Sequence, residues 1–383
     1  MISLCVCFFL PTQASDVIVG AARMDQYLPI LKGKNVGLVI NQTSTIGNTH
    51  LLDSLVSLGI KVNAVFAPEH GFRGTADAGE HVKNGIDTKT NTPIISLYGD
   101  HKKPNADDLK NIEILVFDIQ DAGARFYTYI STLHYVMEAC AEQYKPLLVL
   151  DRPNPNGYYV DGPVLDTTYH SFVGMHPVPV VHGMTVGEYS KMLNGERWLN
   201  NKIQCSLTVI TCLHYTHKTG YSLPIKPSPN LPNMNAIYLY PSLCFFEGTN
   251  AVSLGRGTDK PFQIYGSPNF PKISFSFTPT SKPGASKPFL QDQLCYGYDL
   301  SGIPIDSLRK QKFTLKYLLN AYACSGDKAN FFNSFFTKLA GSTILEEQIK
   351  KGMTEKAIRK TWQDSIHAFK SIRKKYLLYK DFE

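Results

Sequence analysis

The sequence lacks the short motifs that mark several common classes of enzyme. It has no Gly-x-Ser-x-Gly turn, so a serine hydrolase of the α/β type has no support. Neither a Gly-x-Gly-x-x-Gly run nor a phosphate-binding loop follows the first apolar run, which argues against a nucleotide cofactor. Internal repeats and low-complexity tracts are also missing.

Metal-binding patterns are absent as well. The chain has 8 cysteines but no Cys-x-x-Cys pair. Cys205 and Cys212 bracket a short apolar run and could pair across a turn, but buried free thiols are the expectation. Glu69, His70 and Asp77 lie close in sequence, yet no second histidine follows at ligand spacing. We therefore predict no metal and no cofactor.

The charge balance is weakly basic. The formal net charge is +7, from 39 basic and 32 acidic residues. Such a balance favours an anionic partner, and nucleic acid or cell-wall fragments would both qualify. The basic residues cluster only in the C-terminal helical stretches, as at Lys350-Lys351 and Arg373-Lys374-Lys375. Runs of this kind usually form a solvated helix face, so we predict no nucleic-acid partner.

The N-terminal residues 1–15 are typical of a secretory signal remnant. An apolar run over residues 2–10 is followed by small and polar residues up to Ser15. The run is too short to span a bilayer, and a first core strand is the alternative. We predict an exported protein, periplasmic or extracellular, without stable membrane insertion. Acylation of Cys5 or Cys7 would make it a lipoprotein.

Apolar runs and amphipathic stretches alternate through the first half of the chain, which is typical of a parallel sheet covered by helices. Because 383 residues exceed what one core usually supports, we expect two domains. We predict an α/β protein, with a Rossmann-like parallel-sheet catalytic domain over residues 16–215 and a smaller α+β domain over residues 216–383 that closes a cleft. The predicted strands cover 36–40, 62–66, 94–97, 114–117, 147–150 and 207–210. The predicted helices cover 49–58, 129–143, 185–193, 314–324 and 345–375.

Polar clusters follow four of these predicted strands. They begin at Asn41, Glu69, Asp118 and Asp151. Open parallel sheets bind ligands at the carboxyl ends of their strands, so we expect these clusters to form one site.

Several of these polar residues suit acid–base or anion-binding chemistry. The first group is Glu69, His70 and Arg73, with Glu80 further along the same loop; the alternative is that Glu69 pairs with Arg73 only to fix that loop. The second runs from Asp118 and Asp121 to Arg125 and Tyr127, whose ring suits a sugar face, although one of these acids is expected to cap the next helix. The remaining candidates are Arg152 and Asn154 in a proline-rich turn and Glu247, Asn250 and Arg256 in a glycine-punctuated loop.

Together these segments resemble a bacterial family, the exo-acting β-N-acetylmuramidases of the NamZ type. The resemblance runs from about residue 30 to the C-terminus and rests on long motifs in a fixed order. They are Asn41-Gln42-Thr43, Pro68 to Gly74, Gly79-Glu80, Asp118 to Tyr129, Asp151 to Pro155, Gly162-Pro163, His182-Gly183-Met184-Thr185, Glu247 to Asn250 and Gly255 to Thr258.

This resemblance implies a Rossmann-like domain with an auxiliary domain and an active site between them. It also implies release of N-acetylmuramic acid from the non-reducing end of peptidoglycan fragments, in cell-wall turnover and recycling. The family's catalytic glutamate corresponds to Glu69, and Asn41 and His182 join the substrate-binding candidates.

We hypothesise that Glu69 is the general acid of a glycosidase. Asp118, Asp121 or Glu80 would act as base or stabilise an oxocarbenium-like transition state. Arg73, Arg125 or Arg256 would hold the lactyl carboxylate that distinguishes muramic acid from glucosamine. A non-catalytic muropeptide receptor that uses the same cleft is the alternative from another class. An amidase acting on the peptide stem is disfavoured by the missing metal and serine motifs.

Overall fold

The computed structural model describes residues 16–72 and 84–383, so the predicted signal remnant lies outside the described residues. Within these ranges the chain forms fourteen strands. They are β1 (Asn35–Ile40), β2 (Thr45–Ile46), β3 (Thr49–His50), β4 (Lys61–Ala67), β5 (Gly85–Ile86), β6 (Pro93–Ser96), β7 (Ile114–Asp118), β8 (Leu147–Leu150), β9 (Asp161–Val164), β10 (Pro179–Val181), β11 (Leu207–Ile210), β12 (Ile264–Ser267), β13 (Ser276–Phe277) and β14 (Cys295–Asp299).

The same ranges contain twelve α-helices. They are α1 (Met24–Leu31), α2 (Leu51–Ser57), α3 (Ala106–Leu109), α4 (Tyr129–Glu142), α5 (Val186–Gly195), α6 (Met234–Leu243), α7 (Ile305–Gln311), α8 (Lys316–Cys324), α9 (Phe335–Ala340), α10 (Ile344–Lys350), α11 (Glu355–Lys360) and α12 (Gln363–Lys374). None of the described helices is long and apolar enough to cross a membrane.

The main sheet has seven strands in the order β11-β8-β7-β1-β4-β6-β5. All neighbours pair in parallel except β5, which runs antiparallel at the edge. The predicted strands all lie in this sheet, and the predicted α/β class is confirmed. The chain leaves β1 toward β4 and β6 on one side and returns through β7 to β8 and β11 on the other. The order therefore reverses beside β1, where open α/β sheets have their ligand crevice.

Side chains of β1 alternate between two cores because successive residues of a strand point to opposite faces. Val36, Leu38 and Ile40 pack in one cluster with residues of α1 and α2. Val39 packs in the other, which includes Phe117 and the inner residues of α4. Helices thus cover both faces of the sheet, which explains the continuous apolar runs of its strands.

Local sequence signals set several helix boundaries. Thr185 caps α5 by accepting the backbone N–H of Glu188, whose side chain accepts the N–H of Thr185 in return. These two reciprocal hydrogen bonds form a capping box, and the helix predicted to begin at Thr185 is present. The single helix predicted over residues 345–375 is wrong, because Gly352 adopts φ +70° and Thr354 caps a new helix, so that α10, α11 and α12 follow one another.

The C-terminal part adds a three-stranded antiparallel sheet, β12-β14-β13, and the helices from α6 onward. Its core is continuous with one face of the main sheet: Leu133 of α4, Phe245 and Phe336 belong to one buried cluster. The domain boundary at residues 215/216 stays a prediction.

The thiols expected to be free are free. Cys140, Cys205, Cys212, Cys244 and Cys295 are buried, and Cys324 is half-buried. Residues 16–72 and 84–383 contain no cluster of three or more acidic, histidine or cysteine side chains that would suit a metal ion.

Candidate active site

A cleft of about 690 Å³ lies at the carboxyl ends of β4 and β6, where the C-terminal part of the chain packs over the sheet. Glu69, His70 and Tyr98 come from the sheet side. Glu247 comes from a 3₁₀ helix (Cys244–Gly248) that follows α6, and Arg256 from the loop after it. Its remaining walls are largely aromatic and include Phe126, Tyr127, Phe172, Tyr240, Phe262, Phe289 and Phe335.

Glu69 is held in this cleft by two hydroxyl groups. The Thr128 hydroxyl donates to Glu69 Oε2 over 2.6 Å. Tyr98 also hydrogen-bonds to Glu69, and burial together with the Glu69 charge raises the pKa of Tyr98. Because Glu69 follows β4 and Thr128 precedes α4, the ends of two rigid elements fix the position of the carboxyl group.

His70 occupies a strained position beside Glu69. It is buried and adopts φ +69°, in the left-handed region that side chains other than glycine rarely enter. The next residue, Gly71, also has positive φ, at +76°. Strain of this kind persists where the surrounding structure imposes it and is common at functional sites. The turn directs the chain away from β4 and leaves Glu69 and His70 on the cleft wall.

Glu247 and Arg256 form an ion pair on the cleft wall. Arg256 donates from Nε and Nη2 to Glu247 Oε1, over 2.9 and 2.5 Å. The Arg256 guanidinium also lies 5.0 Å from the ring centroid of Phe262, which holds it by a cation–π contact. Arg256 Nη1 has no hydrogen-bond partner within the described ranges, so one edge of the guanidinium can donate to an anion.

Asp118 and Arg152 lie at the same edge of the sheet but do not line the cleft. Arg152 Nε and Nη2 donate to the two carboxylate oxygens of Asp118, over 2.5 and 2.9 Å, and both side chains are almost fully buried. The Ser44 hydroxyl donates to the Asp118 carbonyl. Asp118 ends β7 and Ser44 follows β1, so the pair lies near the point where the strand order reverses.

Asp121 is a buried carboxyl that faces His182. Oδ2 accepts the N–H of Gly123 over 2.6 Å and lies 3.9 Å from His182 Nε2. Oδ1 has no hydrogen-bond partner within residues 16–72 and 84–383. Burial raises the pKa of Asp121 to about 7, although the backbone N–H groups of Gly123 and Ala122 oppose this. The carboxyl does not line the cleft.

We expect Asp121 to make the fold less stable as pH rises. Its folded pKa of about 7 exceeds the ordinary 3.8, so between these values the folded state retains a proton that the unfolded state has lost. The free energy of unfolding then falls by up to about 1.4 kcal/mol per pH unit. The stabilisation is complete below the unfolded pKa and is lost as pH rises through the folded pKa.

Replacing Asp121 with Asn tests this, because the amide cannot ionise and its oxygen can still accept the Gly123 N–H. Urea unfolding of both proteins at several pH values should give similar stabilities at pH 4 and a more stable variant at pH 8. A stability difference that does not change with pH would contradict the expectation.

Four other predicted binding residues do not line the cleft. Arg125 is fully buried and donates to the carbonyls of Pro163, Val178 and Leu339, and burial lowers its pKa. The other three also make hydrogen bonds within the chain. Asn41 Oδ1 accepts from the backbone and hydroxyl of Thr43, Asn154 Nδ2 donates to the Met184 carbonyl, and His182 Nδ1 accepts the Met184 N–H.

The structure thus brings Glu69, His70, Tyr127, Glu247 and Arg256 together in the cleft. Asn250 lies outside it, beside a smaller pocket. The predicted Arg73 and Glu80 lie outside the described residues.

Sequence reasoning missed several cleft residues. Tyr98 follows β6, so the rule for strand ends would have found it. Thr128 lies within the motif from Asp118 to Tyr129, but no sequence signal marks it as a residue of the site. Phe172, Lys287 and Phe289 come from loops without any periodic pattern, and no sequence signal marks them.

Comparison with known proteins identifies relatives along nearly the whole chain. Residues 36–235 match the family described as exo-β-N-acetylmuramidase NamZ, N-terminal, and residues 238–379 match its C-terminal counterpart. A curated relative, the peptidoglycan β-N-acetylmuramidase NamZ of Bacillus subtilis (strain 168), is 39% identical over 93% of this chain and 89% of its own length.

Two crystal structures of DUF1343 family proteins from Bacteroides fragilis NCTC 9343 share the fold. One superposes with a TM-score of 0.90 at 49% identity, over 96% of this chain and all of its own chain. The other has a TM-score of 0.79 at 27% identity, over 95% and 99%. The architecture described above is therefore that of a known structural family.

Proposed function

This chain belongs to the NamZ family of exo-β-N-acetylmuramidases, and from that premise we propose that it hydrolyses the glycosidic bond of terminal, non-reducing N-acetylmuramic acid in peptidoglycan fragments. The observation that carries the assignment is the position of Glu69, whose carboxyl group lies in an aromatic cleft and is oriented by two hydroxyl groups. The family match and the 39% identity to a peptidoglycan β-N-acetylmuramidase support it.

Glu69 is the general acid in this proposal. It protonates the glycosidic oxygen as the bond to the sugar breaks, and positive charge develops on the ring. Thr128 and Tyr98 hold the carboxyl group in one orientation, which such a proton transfer requires. Glu247 is the other carboxylate on the cleft wall among the described residues, and its negative charge favours the oxocarbenium-like ring.

Arg256 is the group proposed to recognise the lactyl carboxylate. Of the three arginines considered for this task, Arg125 donates to backbone carbonyls and Arg73 lies outside the described residues. Arg256 lines the cleft, and its Nη1 edge can donate to the substrate. A guanidinium is well suited to a carboxylate because it offers several donors in a fixed plane.

The substrate in this proposal is an oligosaccharide or muropeptide derived from peptidoglycan. Export of the protein, to the periplasm or the outside of the cell and either free or lipid-anchored, is also part of the proposal. It is supported by the apolar run near the N-terminus.

The experiment compares two substrates, a chromogenic aryl β-N-acetylmuramide and the matching N-acetylglucosaminide. We expect the protein to release the aglycone from the muramide and to hydrolyse the glucosaminide at least about 100-fold more slowly, because only muramic acid carries the carboxylate. Arg256→Gln should lower this preference about tenfold or more, the value of one charged hydrogen bond. The preference of Arg256→Lys for the muramide should lie between that of the wild type and that of Arg256→Gln.

Equal turnover of the two substrates would show that the lactyl group is not recognised. Failure to hydrolyse either substrate, with muropeptides still bound, would instead favour the non-catalytic receptor.

A further inference from the structure

Four buried side chains behind one wall of the cleft form a continuous chain of hydrogen bonds. Glu138 Oε1 hydrogen-bonds to His134 Nε2 over 3.0 Å, and His134 Nδ1 hydrogen-bonds to His176 Nε2 over 2.9 Å. His176 Nδ1 in turn hydrogen-bonds to the Tyr189 hydroxyl over 2.9 Å. All ring nitrogens of the two histidines are therefore engaged, and all four residues of this histidine chain are buried. A fully satisfied polar network in the interior holds its members rigidly.

The histidine chain ties a loop to two helices. His134 and Glu138 lie one turn apart on α4, and Tyr189 lies on α5. Burial alone would raise the pKa of Glu138, but hydrogen bonds from His134 and from the backbone N–H of Asn200 lower it to about 2, so the carboxylate remains an acceptor at neutral pH. His176 is the member that comes from the connection between β9 and β10.

That connection carries part of the cleft wall. Ser171 and Gly174 exchange backbone hydrogen bonds of 2.8 and 2.9 Å, which close a turn. The two residues at the tip of the turn, Phe172 and Val173, line the cleft. Because His176 follows the turn by only two residues, the histidine chain fixes the depth at which this tip enters the cleft.

Phe172 packs against the side chain that orients Glu69. Its ring centroid lies 6.2 Å from that of Tyr98, and Tyr98 hydrogen-bonds to Glu69. On α4, Tyr135 stacks with Phe172 at 6.3 Å between centroids and an interplanar angle of 16°. Aromatic rings at such distances attract each other. If the turn moved away from α4, Tyr98 would lose this support, and the Glu69 carboxyl would lose a fixed hydrogen-bond donor.

Resting on the proposed function, we propose that His176 is a positioning residue for the general acid of this enzyme. It holds the turn so that Phe172 packs on Tyr98. Tyr98 then keeps the Glu69 carboxyl aligned with the glycosidic oxygen. His176 is not among the residues that line the cleft, so it acts through these two rings and does not touch the substrate. Breaking the histidine chain should therefore slow reactions that need the Glu69 proton and spare reactions that do not.

The test compares kcat/KM on two substrates with the same muramic acid ring. One is the disaccharide of N-acetylmuramic acid β-linked to N-acetylglucosamine, whose leaving sugar hydroxyl must be protonated. The other is the nitrophenyl β-N-acetylmuramide, whose leaving group needs little protonation. The readout is kcat/KM on the disaccharide divided by that on the nitrophenyl glycoside. Loss of folded protein lowers both values equally and leaves this ratio unchanged.

His176→Phe keeps an aromatic ring but removes both hydrogen bonds of His176. We expect the ratio to fall about tenfold, since misplacing a reacting group by about 1 Å can cost about 100-fold in rate. His176→Gln, whose amide can still donate to His134 Nδ1, should recover part of the ratio. If His176→Phe does not fold, Tyr189→Phe removes one hydrogen bond, keeps the ring, and should lower the ratio about threefold.

His217→Phe is the matched control. His217 is also buried and also hydrogen-bonds to a helical glutamate, Glu188, over 3.0 Å. Its ring packs on Tyr379 and Phe382, which are not among the described residues of the cleft wall, so its ratio should equal that of the wild type.

An unchanged ratio in the folded variant of the histidine chain, with the wild type active on both substrates, overturns the positioning role alone. A wild type that hydrolyses neither substrate overturns the proposed function and the positioning role with it.

Discussion

Replacing Glu69 with Gln is expected to lower kcat on the disaccharide of N-acetylmuramic acid β-linked to N-acetylglucosamine by about 100- to 10,000-fold, the usual contribution of a general acid. The amide has the same shape and can still accept the Thr128 hydroxyl, but it has no acidic proton to give to the leaving oxygen. KM should change little, because the variant removes an interaction that matters mainly in the transition state. The measurement is steady-state hydrolysis of the disaccharide, with circular dichroism to verify folding.

The leaving group provides an internal control for this prediction. A nitrophenolate needs less protonation than a sugar hydroxyl, so the loss in Glu69→Gln should be clearly smaller on the aryl muramide. Thr128→Val should have a modest effect, about tenfold or less, since it removes only one hydrogen bond that orients Glu69. Full activity of Glu69→Gln on the disaccharide would remove Glu69 from the mechanism.

The strands of the sheet could be predicted because each depends on a local pattern. Each strand buried on both faces reads as a continuous apolar run, and each run ends in polar residues at one edge. From this pattern it followed that Asn41, Glu69, Asp118 and Arg152 would lie at the same edge, as they do. The break at Gly352 was missed because helical periodicity continues on both sides of a single glycine with positive φ.

Which carboxylate at that edge lines the cleft, and which is buried in an ion pair, could not be predicted. Glu69 and Asp118 both follow parallel strands, yet one lines the cleft and the other is neutralised in the interior. The difference depends on which cation each carboxylate meets after folding, and Arg152 is 34 residues from Asp118 in the chain. Phe289 lies still further away and comes from an irregular loop, so only the assembled structure places it beside Arg256.

The buried ion pair between Asp118 and Arg152 leads to the largest expected effect on stability. Asp118→Asn leaves the Arg152 guanidinium buried without its counter-charge, because the Asp118 side chain is fully buried. Breaking a pair of this kind typically costs about 3–5 kcal/mol, a large share of the roughly 5–15 kcal/mol that stabilises a folded protein. Urea unfolding should show this as a lower midpoint with an unchanged slope.

Two comparisons separate this structural role from the catalytic role that the sequence suggested for Asp118. Glu346→Gln breaks the exposed pair with Lys350 and should cost less than about 1 kcal/mol. The double variant Asp118→Leu, Arg152→Met removes both charges and should regain most of the lost stability, because a paired apolar replacement leaves no buried charge. Where Asp118→Asn remains folded, kcat per folded molecule should be close to that of the wild type, since Asp118 does not line the cleft. A stable Asp118→Asn protein with kcat reduced 100-fold or more would return Asp118 to the reaction and contradict its assignment to the fold.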